Sequence, residues 1–525
     1  MKKKKTKNPL SKRVFRELAS EWRKYLVIFL FLVLTIGFVS GMYVANESML
    51  ASIAESKTLY NLEDGHFELK EKADEELLSA IESGEKADLK EFYLNKAKKE
   101  LDEKFEDEFR REFNSAFNSE FGYQFEVQVK QTLLAQGLDE QTASAMLGTA
   151  VEQAKQNGTY DSAYWSAYNS AYQSAYDEAY DEAWSEVQDE VNEKYAEAEE
   201  KYELNDPDFK EVNTKLYENF FKNADEDSDN DGESNGTVRV YAKTESINNA
   251  CLLDGRFPEK EGEIAIDRMH ADNVGVKVGD FVTVSEQKYE VVGLLAYVNY
   301  STLHEKATDF MFDAISFDVA MVTPETFEQI DEKTHYAYAW KYVSEPTDEK
   351  EEKAASDDFS KALMTQSIVS ENDLEDYLPR YANPAVSFAE DDMGSDKSMG
   401  GVLLYILVVI IGFIFAVTIT NTISKESSAI GTLRASGYTK GELVRHYIAM
   451  PVAVTLFAAC VGNVLGYTVC KNVVVSMYYN SYSLPGYTTL WNTDAFIKTT
   501  VVPVVLMRDF GGRLPFVGHG RFRYA

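Results

Sequence analysis

Three long runs without a charged residue constrain this chain more than any other feature of its sequence. They are Tyr25–Val44, Val402–Ile423 and Tyr447–Val469. Each has about 20 residues, the length that a helix needs to cross a hydrocarbon core of ~30 Å. The first run follows a basic segment and exceeds the ~7–15 apolar residues of a signal-peptide core. We therefore expect an uncleaved membrane anchor, rather than a removed signal peptide, followed by a helical hairpin through the bilayer.

Charge is distributed unevenly along the chain. The 53 Lys and Arg residues and 87 Asp and Glu residues give a net charge of -34, which disfavours nucleic acid as a partner. Basic residues crowd the segment before Tyr25, whereas the acidic residues lie mostly between Glu47 and Asp396. This asymmetry predicts a multi-pass protein of the plasma membrane, in contact with lipids, with a cytoplasmic N-terminus and a large extracytoplasmic domain.

Alternation across the membrane then predicts the domain organisation. The expected segments are a basic cytoplasmic N-terminus (1–24), a first transmembrane helix (25–45), an extracytoplasmic domain (46–400), a second transmembrane helix (401–423), a cytoplasmic loop (424–446), a third transmembrane helix (447–470), an extracytoplasmic loop (471–495), a partial fourth transmembrane helix (496–507) and an irregular tail (508–525).

The fourth apolar run stops at Met507, and about 12 residues are too few to span a bilayer. The residues from Arg508 onward show no helical periodicity. We expect a truncated or frameshifted copy of a longer protein, and the alternative is a short basic cytoplasmic tail.

Two aromatic stripes of period four lie in the segment from about 70 to 223, which reads as long helices. A period of four exceeds the 3.6 residues of a helical turn, so each stripe drifts by about 40° per repeat in a right-handed sense. We expect a helical hairpin that turns after Gln136 or near Asn157, and the alternative is a pair of helices that pack on the rest of the domain. The stripes are Phe105, Phe109, Phe113, Phe117, Phe121 and Phe125, and Tyr160, Tyr164, Tyr168, Tyr172, Tyr176, Tyr180 and Trp184.

An acidic linker (224–236) follows the helices. Asp227, Asp229 and Asp231, followed by Gly232, have the spacing that opens a calcium-binding loop. The bidentate Glu expected at the twelfth position is replaced by Val238. We therefore interpret the segment as a solvated linker and keep calcium only as the alternative.

After the linker the pattern changes to period two, which is typical of strands. With 60–69, the segment 237–345 is expected to form a small α+β core that the helical hairpin interrupts. The expected strands are Thr237–Ala242, Glu263–Asp267, Phe281–Ser285, Tyr289–Gly293, Phe317–Val322 and, before the helices, Gly65–Leu69.

Two pairs of glycines lie four residues apart in the apolar runs: Gly37 with Gly41, and Gly462 with Gly466. Such spacing lets two helices approach closely in lipid. It is also compatible with the general enrichment of glycine in membrane helices, and the sequence leaves these two interpretations open.

In two places the sequence resembles the FtsX/MacB-type ABC transporter permeases. The first is the series Leu253–Pro258, Gly262–Ile266, Val274–Asp280 and Tyr289–Gly293, which looks like the periplasmic-core domain of that family. The resemblance implies an α-helical integral membrane protein with a large extracytoplasmic α+β (MacB-like periplasmic-core) domain. The long helical-hairpin insertion is outside the common core of the family.

The second place is Ile430–Gly437, which looks like the cytoplasmic loop after the second membrane helix of that family. The resemblance implies a short helix that docks on an ABC ATPase subunit, and a second permease copy or homologue beside this chain. Ala429 and Pro451 depart from residues that are common in the family. The expected coupling residues are Ile430, Gly431, Leu433, Arg434 and Gly437, with Ile430 and Leu433 forming the apolar docking face.

We do not expect this chain to catalyse a reaction itself. It contains no phosphate-binding loop of the G-x-x-x-x-G-K-[ST] type, so ATP is expected on the partner subunit and no cofactor on this chain. His66, His270, His304 and His335 are scattered and are interpreted as structural or surface residues, and no metal ligand set is expected among them.

Three functions fit these patterns. The first is an ABC transporter permease for export or extraction of a lipid-like or peptide substrate. The second is a mechanotransmitter that controls a cell-wall hydrolase or a sensor without transport. The third is a membrane-anchored adhesin, which the loop of Ile430–Gly437 disfavours because a passive anchor needs no coupling element.

Overall fold

A computed structural model describes residues 21–517 of the chain, which divide into two units. The first unit combines the segments up to Lys70, from Lys215 to Lys341 and from Glu375 onward, and the second combines Glu71–Thr214 and Tyr342–Leu374. The side chains of 116–119, 178–179 and 510–517 are outside the described set, so Phe117 of the Phe stripe is too. Most of the predicted N-terminal segment 1–24 and the end of the predicted tail 508–525 also lie outside the described residues.

The helices are numbered here in chain order. They are α1 (Trp22–Leu59), α2 (Glu75–Ser83), α3 (Leu89–Ala135), α4 (Glu140–Gln156), α5 (Thr159–Lys201), α6 (Arg268–Val274), α7 (Pro324–Gln329), α8 (Glu349–Val369), α9 (Pro384–Lys425), α10 (Ser427–Ala435), α11 (Lys440–Leu465), α12 (Lys471–Ser481), α13 (Thr493–Phe496) and α14 (Val502–Val517). Short π-helical segments join α11 to α12 (Gly466–Cys470) and α13 to α14 (Ile497–Val501).

Eleven strands of the described chain form one mixed sheet, in the order β11-β1-β10-β3-β4-β9-β6-β8-β5, while β2 pairs with β10 and β7 pairs with β3 and β8. They are β1 (Gly65–Leu69), β2 (Thr214–Glu218), β3 (Phe221–Asp227), β4 (Gly236–Ala242), β5 (Ala250–Gly255), β6 (Glu263–Asp267), β7 (Phe281–Val284), β8 (Gln287–Tyr297), β9 (Phe317–Val322), β10 (Thr334–Tyr342) and β11 (Leu374–Pro379).

Alternating side chains of this sheet fill two hydrophobic cores, one on each face. Val238 and Val240 of β4 belong to one core, and Tyr241 belongs to the other. In β9 every residue is buried, so the strand is covered on both sides. Strands of this kind are rich in β-branched and other apolar residues because neither face meets water.

Three helical segments are long and apolar enough to cross a membrane: Trp22–Leu59, Pro384–Lys425 and Lys440–Ser481. Their buried faces pack together through Ile36, Leu404, Phe415 and Ala458, while other large apolar side chains of the same helices, such as Phe413, remain exposed. An exposed apolar surface on such helices is what lipid contact requires.

The helices of this bundle are longer than the predicted spans. Helix α1 continues past the predicted end at residue 45, because its polar second half still buries Met49 and Ile53. Residues 471–481 are helical instead of part of a loop. The tail predicted to be irregular from Arg508 is helical as far as Val517, and helical segments run without a break from Thr493. Hydropathy marks where a helix is apolar, whereas its ends depend on local capping and packing.

The second unit contains α2, α3, α4, α5 and α8. The antiparallel helices α3 and α5 bring the two aromatic stripes face to face: the ring centroids are 5.2 Å apart between Phe109 and Tyr172, and 5.0 Å apart between Phe113 and Tyr168 and between Phe125 and Tyr160. Most of these contacts are edge to face, a favoured geometry for aromatic pairs.

The predicted insertion (70–223) differs from the observed unit in three ways. A third helix, α4, lies between the two turns that were alternatives for one hairpin. Residues 214–218 and 221–227 form strands β2 and β3, and β3 includes part of the predicted linker 224–236. Helix α8, which is far from the other helices in sequence, also belongs to this unit. Its residues Ile368 and Val369 pack with Leu89 and Leu204.

Candidate functional site

The predicted coupling loop is a short helix with well-defined ends. Helix α10 terminates at Gly437, whose φ of +96° is in the left-handed region that favours glycine. The amide of Gly437 donates to the carbonyl of Arg434 (3.1 Å), and the amide of Tyr438 donates to that of Leu433 (3.2 Å). This pair of hydrogen bonds is a Schellman motif. Thr439 and Glu442 then form a capping box that starts α11.

The five predicted coupling residues do not share one face. Gly431, Arg434 and Gly437 are exposed, and Leu433 is half-buried. Ile430 packs against Ile419, Ile423 and Tyr447 of the neighbouring helices. Ile430 is half-buried, like Leu433, and its part in the predicted docking face stays a prediction beside this packing role.

The four predicted seam glycines meet at one helix crossing. A Cβ on Gly37 would lie 3.2 Å from the carbonyl oxygen of Gly462, and a Cβ on Gly466 would lie 2.7 Å from the Cβ of Ser40. At Gly41 a Cβ would be 2.7 Å from the Cβ of Cys470. Both pairs thus allow α1 to approach α11 and the π-helical segment after it more closely than side chains would permit.

A polar network beside this crossing was missed by sequence reasoning. Asn463 of α11 accepts hydrogen bonds at Oδ1 from the Ser40 hydroxyl (2.8 Å) and the Thr499 hydroxyl (2.9 Å), and its Nδ2 donates to Thr500 Oγ1 (3.0 Å). It therefore joins α1, α11 and the π-helical segment before α14. A single Asn in an apolar run could have signalled such a network, since polar side chains there need partners.

The C-terminal end of α12 is hydrogen-bonded to the sheet domain, by which we mean strands β1–β11 with helices α6 and α7. Sequence reasoning also missed this connection. Arg268 of α6 donates to the carbonyl oxygens of Tyr479 (2.7 Å) and Tyr482 (2.6 Å). The hydroxyl of Ser483 donates to Asp267 Oδ2 at 2.5 Å. Burial raises the pKa of Asp267 to about 6, against the opposing effect of the Ser483 hydrogen bond. These contacts connect the third apolar helix to β6 and α6.

Ion pairs connect the other two apolar helices, α1 and α9, near the end of the helix bundle that is closest to the sheet domain. Lys57 of α1 contacts Glu390 of α9 at 2.5 Å, and Glu47 contacts Lys397 at 2.5 Å. Tyr478 of α12 donates to Asp396 at 2.7 Å. Helices α1, α9 and α12 are thus cross-linked on the side where the sheet domain begins.

The weak calcium-loop candidate lies in the turn between β3 and β4. The carboxylates of Asp227, Asp229 and Asp231 lie within 4.8 Å of one another. Both oxygens of Asp227 accept hydrogen bonds from backbone amides, those of Asp231 and Gly232. Val238, at the position of the missing bidentate ligand, is fully buried in β4 and has no ligand atom.

Residues 401–507 match the model of the FtsX-like permease C-terminal domain. This segment is therefore similar to FtsX-like permeases, and it is called the FtsX-like permease domain below. The match confirms the resemblance to FtsX/MacB-type permeases, and with the three apolar helices it fits a membrane protein with a soluble α+β domain. A comparison with curated proteins found no match.

The FtsX-like permease domain contains most of the site described above. Helix α10, Asn463, Gly462 and Gly466 lie within it, whereas Gly37 and Gly41 on α1 precede it. The helix crossing of this domain is therefore completed by α1, which precedes the strands of the sheet in sequence, whereas the domain follows them.

Proposed function

We propose that this chain is the permease subunit of an ABC transporter. A separate ATPase subunit would bind and hydrolyse ATP, and this chain, which is not itself an enzyme, would convert that reaction into movement of its sheet domain. The observation that carries the proposal is helix α10: exposed, ended by Gly437 and placed between two membrane-length helices of an FtsX-like permease domain.

The proposed docking surface of α10 consists of Gly431, Leu433 and Arg434. Gly431 has no neighbour within 4 Å of an added Cβ, so a partner can approach its backbone. Leu433 supplies a half-buried apolar contact, and the exposed guanidinium of Arg434 suits a carboxylate on the partner. Ile430 would also transmit force, because it packs on the ends of α9 and α11.

A nearly continuous helix would carry the movement away from α10. Helical residues run from Lys440 through the π-helical segment to Ser481, directly before the contacts of Tyr482 and Ser483 with the sheet domain. A helix is stiff along its axis, so displacement at the α10 end would reach Asp267 and Arg268. The topology proposed with this mechanism has α10 in the cytoplasm and the sheet domain, of MacB-like periplasmic-core type, outside.

The proposal is tested by Leu433→Asp. An added carboxylate at the docking surface should abolish co-purification of the ATPase and its stimulation by the permease, because a buried charge without a partner is unfavourable. Membrane insertion should be unchanged, since Leu433 lies outside the hydrophobic cores. ATPase co-purification and ATP hydrolysis in detergent would be measured.

Val278→Asp is the matched control, because Val278 is an exposed apolar residue of the sheet domain, 39% accessible. It should leave both readouts at the wild-type level. Undiminished ATPase binding by Leu433→Asp would remove α10 as the coupling element and, with it, the main support for a transporter.

The second candidate is a mechanotransmitter that controls a cell-wall hydrolase or a sensor without transport. The direct hydrogen bonding of α12 to the sheet domain favours it, because force transmission needs a rigid link more than a substrate path. ATP-dependent release of a lipid-like or peptide substrate from reconstituted vesicles would support transport. Hydrolase activation without such release would support the mechanotransmitter.

A further inference from the structure

Three ionisable side chains meet inside the sheet domain, away from the helix bundle. Glu226 is near the end of β3, His270 is in the first turn of α6, and Asp318 is the second residue of β9. Their accessible fractions are 2%, 1% and 0%. Groups of this kind are seldom fully buried unless they are paired or bind a metal ion.

One ligand atom from each residue points to a common position. Glu226 Oε1, His270 Nε2 and Asp318 Oδ2 have no hydrogen-bond partner, although all three are buried. These atoms lie within 4.8 Å of one another. Three buried polar atoms that share one position and have no hydrogen-bond partner are an arrangement that a bound cation would satisfy.

Hydrogen bonds to the remaining atoms orient His270 and Asp318. His270 Nδ1 is 2.9 Å from the carbonyl oxygen of Ala314, an acceptor, so the proton of a neutral imidazole lies on Nδ1 and leaves a lone pair on Nε2. Asp318 Oδ1 accepts from the backbone amides of Val319 (2.7 Å) and Asp267 (3.2 Å). Metal-binding histidines and carboxylates are commonly held in this way.

We propose that Glu226, His270 and Asp318 bind one divalent first-row transition-metal ion, with Zn²⁺ as the best fit, and that a water molecule takes the fourth position of its tetrahedron. Two carboxylates balance the charge of the ion, and one imidazole nitrogen with two carboxylate oxygens is a donor set that suits Zn²⁺. Calcium and magnesium fit less well because they prefer six or more oxygen ligands.

The distance between His270 Nε2 and Glu226 Oε1 also distinguishes a bound metal ion from a shared proton. It is 3.4 Å, longer than the ~2.7–2.9 Å of a charge-assisted hydrogen bond. It equals the edge, about 3.3–3.4 Å, of a tetrahedron of ligands around zinc at ~2.0–2.1 Å. The competing occupant is a proton on Nε2: burial lowers the pKa of His270, but Asp318 and Glu226 outweigh it and raise the pKa to about 10.

The ion would fix α6 to the sheet. Helix α6 has only seven residues, and its first residue, Arg268, holds the carbonyl oxygens of Tyr479 and Tyr482. His270 is two residues further along the same turn. The ion would therefore stabilise the segment to which α12 is attached, whether or not the chain transports a substrate.

Metal analysis of the full chain tests the proposal. The protein would be purified in detergent without added metal or chelator, and its zinc content measured by plasma mass spectrometry. We expect about one zinc ion per chain. Removal with EDTA should lower the melting temperature of the sheet domain by about 5 °C or more, and added Zn²⁺ should restore it. Cobalt in place of zinc should show the visible absorption of a tetrahedral site.

His270→Gln and Asp318→Asn should each reduce bound zinc at least tenfold. Asp229→Asn is the control, because Asp229 belongs to the exposed acidic group of the β3–β4 turn, and it should retain zinc. Wild-type protein that has no zinc after incubation with Zn²⁺, and no thermal shift, would overturn the proposal and leave a protonated His270. Loss of zinc in Asp229→Asn alone would also overturn it. If the two ligand variants fail to fold, the EDTA and cobalt measurements on the wild type decide.

Discussion

Two helix pairs in this molecule associate in opposite ways. Helices α3 and α5 pack through large aromatic side chains, and rings of Phe109, Phe113 and Phe125 contact rings of Tyr172, Tyr168 and Tyr160. Helix α1 crosses α11 and the following π-helical segment at glycines, where the backbones nearly touch. The first pair is charged on its outer faces, whereas the second presents exposed apolar side chains.

The difference reflects the solvent that each pair is built for. In water, a helix pair gains from removing large apolar surface, and an aromatic ring supplies the most surface per residue. In lipid, the surroundings are as apolar as the side chains, so that gain is absent and close backbone packing stabilises the pair instead. Each pair should therefore be sensitive to the substitution that the other tolerates.

The largest effect is expected from shortening the aromatic stripe. Replacement of Tyr168, Tyr172 and Tyr176 by Ala should lower the free energy of opening of α3 and α5 by on the order of 5 kcal/mol, because Tyr168 is buried and the other two are half-buried. Hydrogen–deuterium exchange on the full chain would report this opening.

Tyr123→Ala is the control for the stripe. Tyr123 is on α3 but is 69% exposed, so its removal should change the opening free energy by less than about 0.5 kcal/mol. Equal exchange in the triple variant and the control would mean that the stripes do not hold the two helices together.

A smaller effect is expected from adding one methyl group at the glycine crossing. In Gly41→Ala the new Cβ would lie 2.8 Å from the backbone nitrogen of Lys471, which cannot move without shifting the helix. We expect the packing of α1 on the π-helical segment and α12 to lose about 1–3 kcal/mol of stability. Exchange of their amides in detergent would measure it.

Gly394→Ala is the matched control on α9. No atom lies within 4 Å of a Cβ at this position, so the change should be neutral or stabilise by up to ~1 kcal/mol through helix propensity. If Gly41→Ala behaved like Gly394→Ala, the crossing would not depend on close backbone approach.

Features with a local signal were predictable from the sequence. Strands β1 and β9 have the bounds that the alternating pattern predicted. Both stripes were visible because a period of four leaves a continuous face along a helix.

Features that depend on distant contacts were not predictable. Helix α8 joins α3 through side chains far apart in sequence, and no pattern within 349–369 indicates that partner. The packing of Ile430 on the neighbouring helices depends on where α9 ends and α11 begins. Glu226, His270 and Asp318 lie on three separate elements, so each looked like an isolated residue until the sheet brought them together.

The smallest effect should come from the hydrogen bonds that supplement the glycine crossing. Ser40→Ala removes one of two hydroxyls that reach Asn463 Oδ1, and the Thr499 hydroxyl, at 2.9 Å, remains and can turn its proton to this oxygen from the carbonyl oxygen of Ala495 at 2.6 Å. Because Asn463 Oδ1 has this second hydroxyl within hydrogen-bonding distance, the loss should be only about 0.6 kcal/mol. Asn463→Ala should cost more, since it removes the bonds to α1 and to the segment before α14 together.

The corresponding change in the aromatic pair is Asn114→Ala, which removes the acceptor of the Tyr164 hydroxyl at 2.5 Å. That hydroxyl is part-buried and can turn to water, so a loss of about 0.5–1.5 kcal/mol is expected. Exchange measured on all three variants would then give similar small losses for Ser40→Ala and Asn114→Ala. A loss above about 2 kcal/mol in Ser40→Ala would show that polar contacts, more than close glycine packing, hold the lipid-facing pair together.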